Sequence, residues 1–241
     1  MAYEPYRLNK YIAHSGVCSR RKAAELVKNG EIKVNGEINK DPSYFVKEKD
    51  SVSYQGKKLK LERKKIYILM NKPKNVVTTT SDERARKTVM DILENKVKER
   101  IYPVGRLDRN TTGLLLITND GDLATKLSHP KHGVRKRYHV ILDKPVTEEH
   151  LERIKKGLIL DDGKAVVDDV DWIIGSDNSA IGIEIHIGKN RIVRRIFEHL
   201  GYHVEKLDRV FYGGLTKKDL PRGWFRHLKP KEIIMLKHFK S

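Results

Sequence analysis

Residues 105–117 read Gly105-Arg106-Leu107-Asp108-Arg109-Asn110-Thr111-Thr112-Gly113-Leu114-Leu115-Leu116-Ile117. The run Leu114 to Ile117 is apolar without alternation, the pattern of a strand buried on both faces. Gly105 and Gly113 bracket the segment ahead of it, and glycines so placed mark backbone that turns tightly or passes close to another segment. Thr111 and Thr112 are expected to hold this loop through hydrogen bonds to local backbone. The one carboxylate, Asp108, stands between Arg106 and Arg109 at the mouth of the strand. An acid kept ionised by flanking cations there fits a nucleophile or general base. The same spacing also describes a solvated ion-pair cluster.

Strands and helices alternate around this stretch. Tyr67 to Met70 reads as a buried strand that ends near Pro73, and Thr88 to Leu93 as a short helix. Asp120 or Asp122 caps a helix that runs to about His129, and Tyr138 to Leu142 is a strand. Thr147 caps a helix with an acidic first turn, Glu148 and Glu149, that ends at Gly157. Ile181, Ile183, Ile185 and Ile187 alternate with Gly182, Glu184 and His186, which predicts a half-buried strand. A helix over 191–200 follows. This mixed order predicts an α+β fold rather than a doubly wound sheet.

Near the N-terminus, Leu8, Ile12 and Ala13 share one face of a short helix. Ser19 is a good N-cap for a second helix through Val27, with Gly30 just past its end. Arg20, Arg21 and Lys22 fill its first turn and oppose the helix dipole, a cost that a nearby phosphate offsets. Asn35-Gly36 between Ile32, Val34 and Ile38 predicts a tight hairpin. The stretch Lys57 to Lys65 (KKLKLERKK) reads as a solvated linker, dividing the chain into residues 1–64 and 65–241.

The formal net charge is +18 over 241 residues, which points to a polyanion or an acidic membrane surface. No apolar run reaches the length of a membrane span and no hydrophobic signal core opens the chain, so RNA or DNA is the expected partner, with no membrane partner and a cytoplasmic location. Residues 1–65 carry 16 Lys and Arg against 8 Asp and Glu, so the N-terminal quarter is the denser cation. The single Cys18 permits no internal disulfide, fits a reducing cytosol and reads as a small core residue. His129 and His132 lack further metal ligands, and Asp161-Asp162 and Asp168-Asp169 sit at turns or strand ends. With no phosphate loop and no dinucleotide fingerprint, neither a metal nor a cofactor is expected.

Residues 105–123, GRLDRNTTGLLLITNDGDL, resemble without a gap the signature loop of the RsuA/RluB-type ribosomal RNA pseudouridine synthases. Asn71-Lys72-Pro73 resembles the first conserved loop of that family, Lys136-Arg137-Tyr138 its Lys-x-Tyr motif, and Gly188 to Arg195 its third motif. Residues 7–38, RLNKYIAHSGVCSRRKAAELVKNGEIKVNGEI, resemble the S4 RNA-binding module, a likeness that covers about residues 5–64. The resemblance implies a small S4-like module followed by a catalytic pseudouridine synthase domain with a mixed, largely antiparallel sheet. It implies isomerisation of uridine to pseudouridine, with Asp108 as the essential catalytic residue, either as nucleophile or as stabiliser of a cationic sugar. The resemblance further places Tyr138 against the target base, where a strand tyrosine by itself reads as packing. One arginine of the third motif pairs with the aspartate; the motif register gives Arg194, with Arg191 next.

Four cations arrive within residues 189–195 at a helix start, a place for phosphate or for a plain solvated turn. Lys189, Arg191 and Arg195 there, together with Lys10, Arg20, Arg21 and Lys22 in the first unit and Arg106 in the signature loop, are the candidate RNA-binding residues. The compact S4 start and the loop sequences stand closest to the RluB branch, which implies large-subunit (23S) rRNA; no protein partner is evident in the sequence, and a monomer is expected. The alternatives are 16S rRNA, as in the RsuA branch, and a non-catalytic S4-type assembly factor. No recognition helix with half-site logic points to DNA.

Overall fold

The computed structural model describes residues 5–94 and 96–239. Two compact units emerge: one runs through Lys65 and takes in Lys98–Arg100, the other comprises Ile66–Val97 and continues from Ile101. Among the described residues no helix is long and apolar enough to cross a membrane.

In the first unit, helices Leu8–His14 (α1) and Arg20–Lys28 (α2) precede strands Ile32–Val34 (β1), Glu37–Ile38 (β2), Val52–Tyr54 (β3) and Lys57–Lys58 (β4). Leu8 and Ile12 of α1 pack with Ala23, Leu26 and Val27 of α2 over the small sheet, whose order is β2-β1-β3-β4. Ser19 caps α2 by accepting from the Lys22 backbone at 3.1 Å. Asn35 and Gly36 both take positive φ, 55° and 91°, which lets the two-residue turn follow the strand twist, with Val34 opposite Glu37. The stretch expected to be a solvated linker begins instead as β4. Lys57 and Lys58 pair with Tyr54 and Ser53, and Leu59 is buried in the unit's core. Alternating lysines mask this edge strand in the sequence, because charged side chains suit an exposed edge.

The second unit holds strands Tyr67–Lys72 (β5), helix Val89–Leu93 (α3), strands Tyr102–Pro103 (β6) and Thr112–Thr118 (β7), helix Gly121–Ser128 (α4), strand Lys136–Leu142 (β8) and helix Glu148–Lys156 (α5). Strands Leu158–Leu160 (β9), Gly163–Ala165 (β10), Asp169–Trp172 (β11) and Ala180–Ile185 (β12), helix Ile192–His199 (α6), strands Val204–Tyr212 (β13), Leu215–Thr216 (β14) and Phe225–His227 (β15) and helix Pro230–Lys237 (α7) follow. The expected caps are present, Asp120 rather than Asp122 on α4 and Thr147 on α5, while Thr88, expected as the first residue of α3, is its N-cap.

The main sheet runs β11-β12-β8-β13-β7-β5-β15, with β6 and β14 paired to β7 and β13. Every pairing is antiparallel except β13 with β7. The fold is therefore α+β with a mixed, mostly antiparallel sheet. Strand β7 is central and double-faced. Leu115 and Ile117 join the apolar layer beneath α5 and α6, while Leu114 and Leu116 join the opposite layer with Leu123 and Leu127 of α4 and Leu236 of α7.

The two glycines of the signature loop serve different ends. Gly105 takes φ +70° with open space where a Cβ would stand, so it makes a turn. Gly113 takes φ +105° where β7 pairs in parallel with β13, and a Cβ there would meet the Arg209 carbonyl oxygen at 2.2 Å and its nitrogen at 2.5 Å. Gly113→Ala should therefore cost more than about 3 kcal/mol, because backbone cannot yield as a side chain does. Gly105→Ala should cost about 1 kcal/mol, the penalty of left-handed φ alone. Urea unfolding of both variants measures this; equal costs would contradict the close approach.

Candidate active site

Asp108 is exposed, but the backbone beneath it is fixed from several sides. Leu107 is buried, and its carbonyl accepts from Thr78 Oγ1 at 2.8 Å. The Thr111 backbone closes a turn by donating to the Asp108 carbonyl at 3.0 Å, and Asn75 donates to the Arg109 carbonyl at 2.9 Å. Lys72, fully buried at the end of β5, reaches under this loop. Its Nζ donates to the carbonyls of Thr111 at 2.8 Å, Asp108 at 3.1 Å, Pro73 at 3.1 Å and Arg109 at 3.4 Å. Burial pushes the Lys72 amine down to about 8, with the Asp108 charge opposing that shift and Arg222 adding to it.

The loop threonines act differently from expectation. Thr112 Oγ1 donates to Asp208 Oδ1 at 2.7 Å and to the Leu207 carbonyl at 3.3 Å, both on β13. Thr111 Oγ1 is buried without a hydrogen-bond partner. The long-range anchor is possible because β13 runs parallel to β7 and brings Asp208 opposite Thr112.

Arg106 and Arg109, the sequence neighbours of Asp108, are exposed. Two buried cations also sense its carboxylate, Lys72 and Arg194. Arg194 lies on α6 and is 7 % exposed, one of three buried charged side chains among the described residues, with Lys72 and Arg209. Its Nη1 donates to the Val204 carbonyl at 2.8 Å rather than to Asp108, so the two charges interact through space. Burial and the nearby Arg191 push the Arg194 guanidinium below its usual value, and Asp108 opposes them. Arg191 is exposed, caps α6 with left-handed backbone at φ 46°, and pairs with Glu198 at 3.3 Å.

Tyr138 is buried on β8, opposite Arg209 of β13 and Ile183 of β12. It shares the apolar layer of Leu107 and of Val193 on α6, so Tyr138, the root of the Asp108 loop and the Arg194 helix belong to one side of the sheet.

Of the remaining candidate residues, Arg20 and Arg21 are exposed at the start of α2, and Lys22 pairs with Glu25 at 3.1 Å. The Lys10 amine stands over the Tyr6 ring, 4.8 Å from its centroid. Arg195 makes a two-pronged contact with Asp162 at 2.6 and 2.9 Å, and Lys189 donates to the Asp162 carbonyl at 2.7 Å. Asp162, which reads as a turn residue in the sequence, thus ties the third motif to the β9–β10 hairpin.

A second polar cluster flanks the loop. Asp208 takes Lys217 and Arg222 as ion-pair partners, the latter at 2.7 Å, and Arg222 Nη1 also donates to Asn71 Oδ1 at 2.9 Å. Burial alone would raise the Asp208 carboxyl, but hydrogen bonds from Arg222, Lys217 and Thr112 outweigh it and hold the group at about 2. Arg209 is 3 % exposed, donates to the Leu114 carbonyl at 2.7 Å and lies over the Tyr212 ring.

Residues 66–199 match the RNA pseudouridylate synthase family, and residues 7–52 match the S4 domain. The chain is 41 % identical to the ribosomal large subunit pseudouridine synthase B of Bacillus subtilis (strain 168), over 96 % of this chain and 95 % of that protein. It is 36 % identical to an uncharacterized RNA pseudouridine synthase of Aquifex aeolicus (strain VF5), over 95 % of this chain and 93 % of that one. A crystal structure of a pseudouridylate synthase superposes with a TM-score of 0.69 at 29 % identity, covering 95 % of this chain and 99 % of that one.

Asp208 gives a pH test. Its folded value of about 2 lies below the ordinary 3.8, so its stabilisation is present above pH about 4 and is lost as pH falls through about 2. Asp208→Asn should destabilise the protein at pH 7 by about 2 kcal/mol, the equivalent of that shift. The gap to wild type in thermal melts should close between pH 4 and 2. A gap that persists at pH 2 would contradict the ion-pair reading.

Proposed function

Because the chain belongs to the RNA pseudouridylate synthase family, we propose that it converts a uridine of large-subunit (23S) ribosomal RNA to pseudouridine, with Asp108 as the catalytic carboxylate. The name of the Bacillus subtilis relative supports the substrate. The observation that carries the catalytic assignment is an exposed carboxylate on a backbone pinned by a buried amine, with a second buried cation acting on it. That arrangement presents a charged group in a fixed place without tying it up in a surface ion pair.

Residues 1–64 serve as the RNA-binding domain and residues 65–241 as the catalytic domain of a cytoplasmic monomer. Arg20 and Arg21 offer exposed cations to the RNA backbone. A stacked uridine hides its reactive atoms, so the target nucleotide leaves the helix before reaction. Tyr138 covers the extruded uracil with its ring. With the Asp108 carboxylate engaged at the sugar, the bond from C1′ to N1 breaks and the uracil turns. C5 then joins C1′, C5 loses its hydrogen and N1 gains one. Atoms and electrons balance within the nucleotide, so the chemistry itself calls for no redox partner. Arg194 supplies a buried opposite charge that acts on the Asp108 carboxylate through space.

Purified Asp108→Asn protein should form no pseudouridine on unmodified rRNA transcripts while binding them with wild-type affinity. Turnover by that variant would overturn the assignment. Removal of residues 1–64 should weaken RNA binding at least tenfold, and unchanged affinity would contradict the role of the first unit.

A further inference from the structure

Trp224 is 67 % exposed, although its neighbour Phe225 packs into the apolar layer of the sheet with the Lys96 amine over its ring. Successive residues of an extended strand face opposite sides, so packing by Phe225 leaves the indole unburied. The backbone that presents this indole is nonetheless firmly held. Pro221 to Trp224 form a turn closed by the Trp224 N–H on the Pro221 carbonyl at 3.1 Å, with Gly223 at φ +84° as a type II turn requires.

Buried Asn71 grips that turn with its whole polar complement. Its backbone N–H donates to the Trp224 carbonyl at 2.9 Å, and its backbone carbonyl accepts from Gly223 at 2.8 Å. Its side chain donates to the Leu220 carbonyl at 2.8 Å and accepts from Arg222 at 2.9 Å. The next residue is Lys72, which pins the Asp108 loop. Two consecutive residues of β5 therefore fix Trp224 and Asp108 relative to one another.

From this we propose that Trp224 is a stacking platform for an unpaired base of the RNA substrate outside the target uridine's own pocket, and so a substrate-positioning residue. The proposal rests on the RNA substrate of the family. Arg222 and Lys217, which share Asp208 between them, and Lys96 over the Phe225 ring leave the surroundings of the turn net cationic, which favours a nucleotide over an apolar protein surface. A base needs only an aromatic face beside a cation for its phosphate, and a pre-set ring loses little entropy on binding.

The sequence holds two tryptophans, and Trp172 is half-buried with its indole N–H on the Val146 carbonyl. A Trp172→Phe protein thus reports Trp224 fluorescence alone. Saturation with unmodified rRNA transcript should quench that emission, whereas heparin, a polyanion without bases, should not. In the natural background Trp224→Ala should raise both the dissociation constant and KM for the transcript about tenfold. Trp224→Phe should stay within about twofold, and kcat should hold in both. Emission indifferent to RNA that filter binding shows to be bound, or unchanged affinity in Trp224→Ala, would overturn the proposal. Quenching and affinity are read without turnover, so failure of the 23S assignment would be seen separately, as absent pseudouridine.

Discussion

The fully buried amine of Lys72 gathers four carbonyl oxygens, from Pro73, Asp108, Arg109 and Thr111. Burying a charged amine is costly unless dipoles replace its hydration. Here the dipoles are the loop's own carbonyls, which would themselves be costly to leave unpaired. Each group therefore satisfies the other, and the loop has one low-energy course. The loop must then enter β7 at Gly113, where the approach of Arg209 backbone leaves no room for a side chain. These two constraints fix where the Asp108 side chain emerges, while that side chain stays exposed.

Rigidity below and access above suit a group that must meet a large substrate in a defined geometry. Two buried cations that interact with Asp108 come from outside its own stretch of sequence. Arg106 and Arg109 are exposed, and surface cations are screened by water and salt. Arg194 and Lys72 are buried, so their fields reach further for the same separation. Arg194 is in turn oriented by the Val204 carbonyl at the start of β13, the strand that carries Asp208 and Arg209. Strand β13 thus links the third motif, the signature loop and the polar cluster around Asp208.

Much of this was legible in the sequence where the signal is local. The unbroken run Leu114 to Ile117 identified a strand buried on both faces, and Asn35-Gly36 identified a hairpin, because each pattern follows from backbone geometry within a few residues. Caps at Ser19 and Thr147 were readable for the same reason. The support of the site was not. Thr112 meets Asp208, and Asn71 meets Arg222, across most of the length of the unit, and only the sheet order brings them together. Lys72 stood in view beside Pro73, at the end of a buried strand pattern. A lysine in that position is a sign of a buried charge with a specific task, yet its partners are backbone carbonyls, which no sequence pattern marks. The β4 edge strand was hidden by its lysines.

The most direct measurement is chemical mapping of pseudouridine across both ribosomal RNAs from cells with the gene, without it, and with only the Asp108→Asn form. The account predicts loss of one large-subunit pseudouridine on deletion, restored by the wild-type gene and not by the variant. Restoration by Asp108→Asn, or a large-subunit map unchanged by deletion, would contradict it.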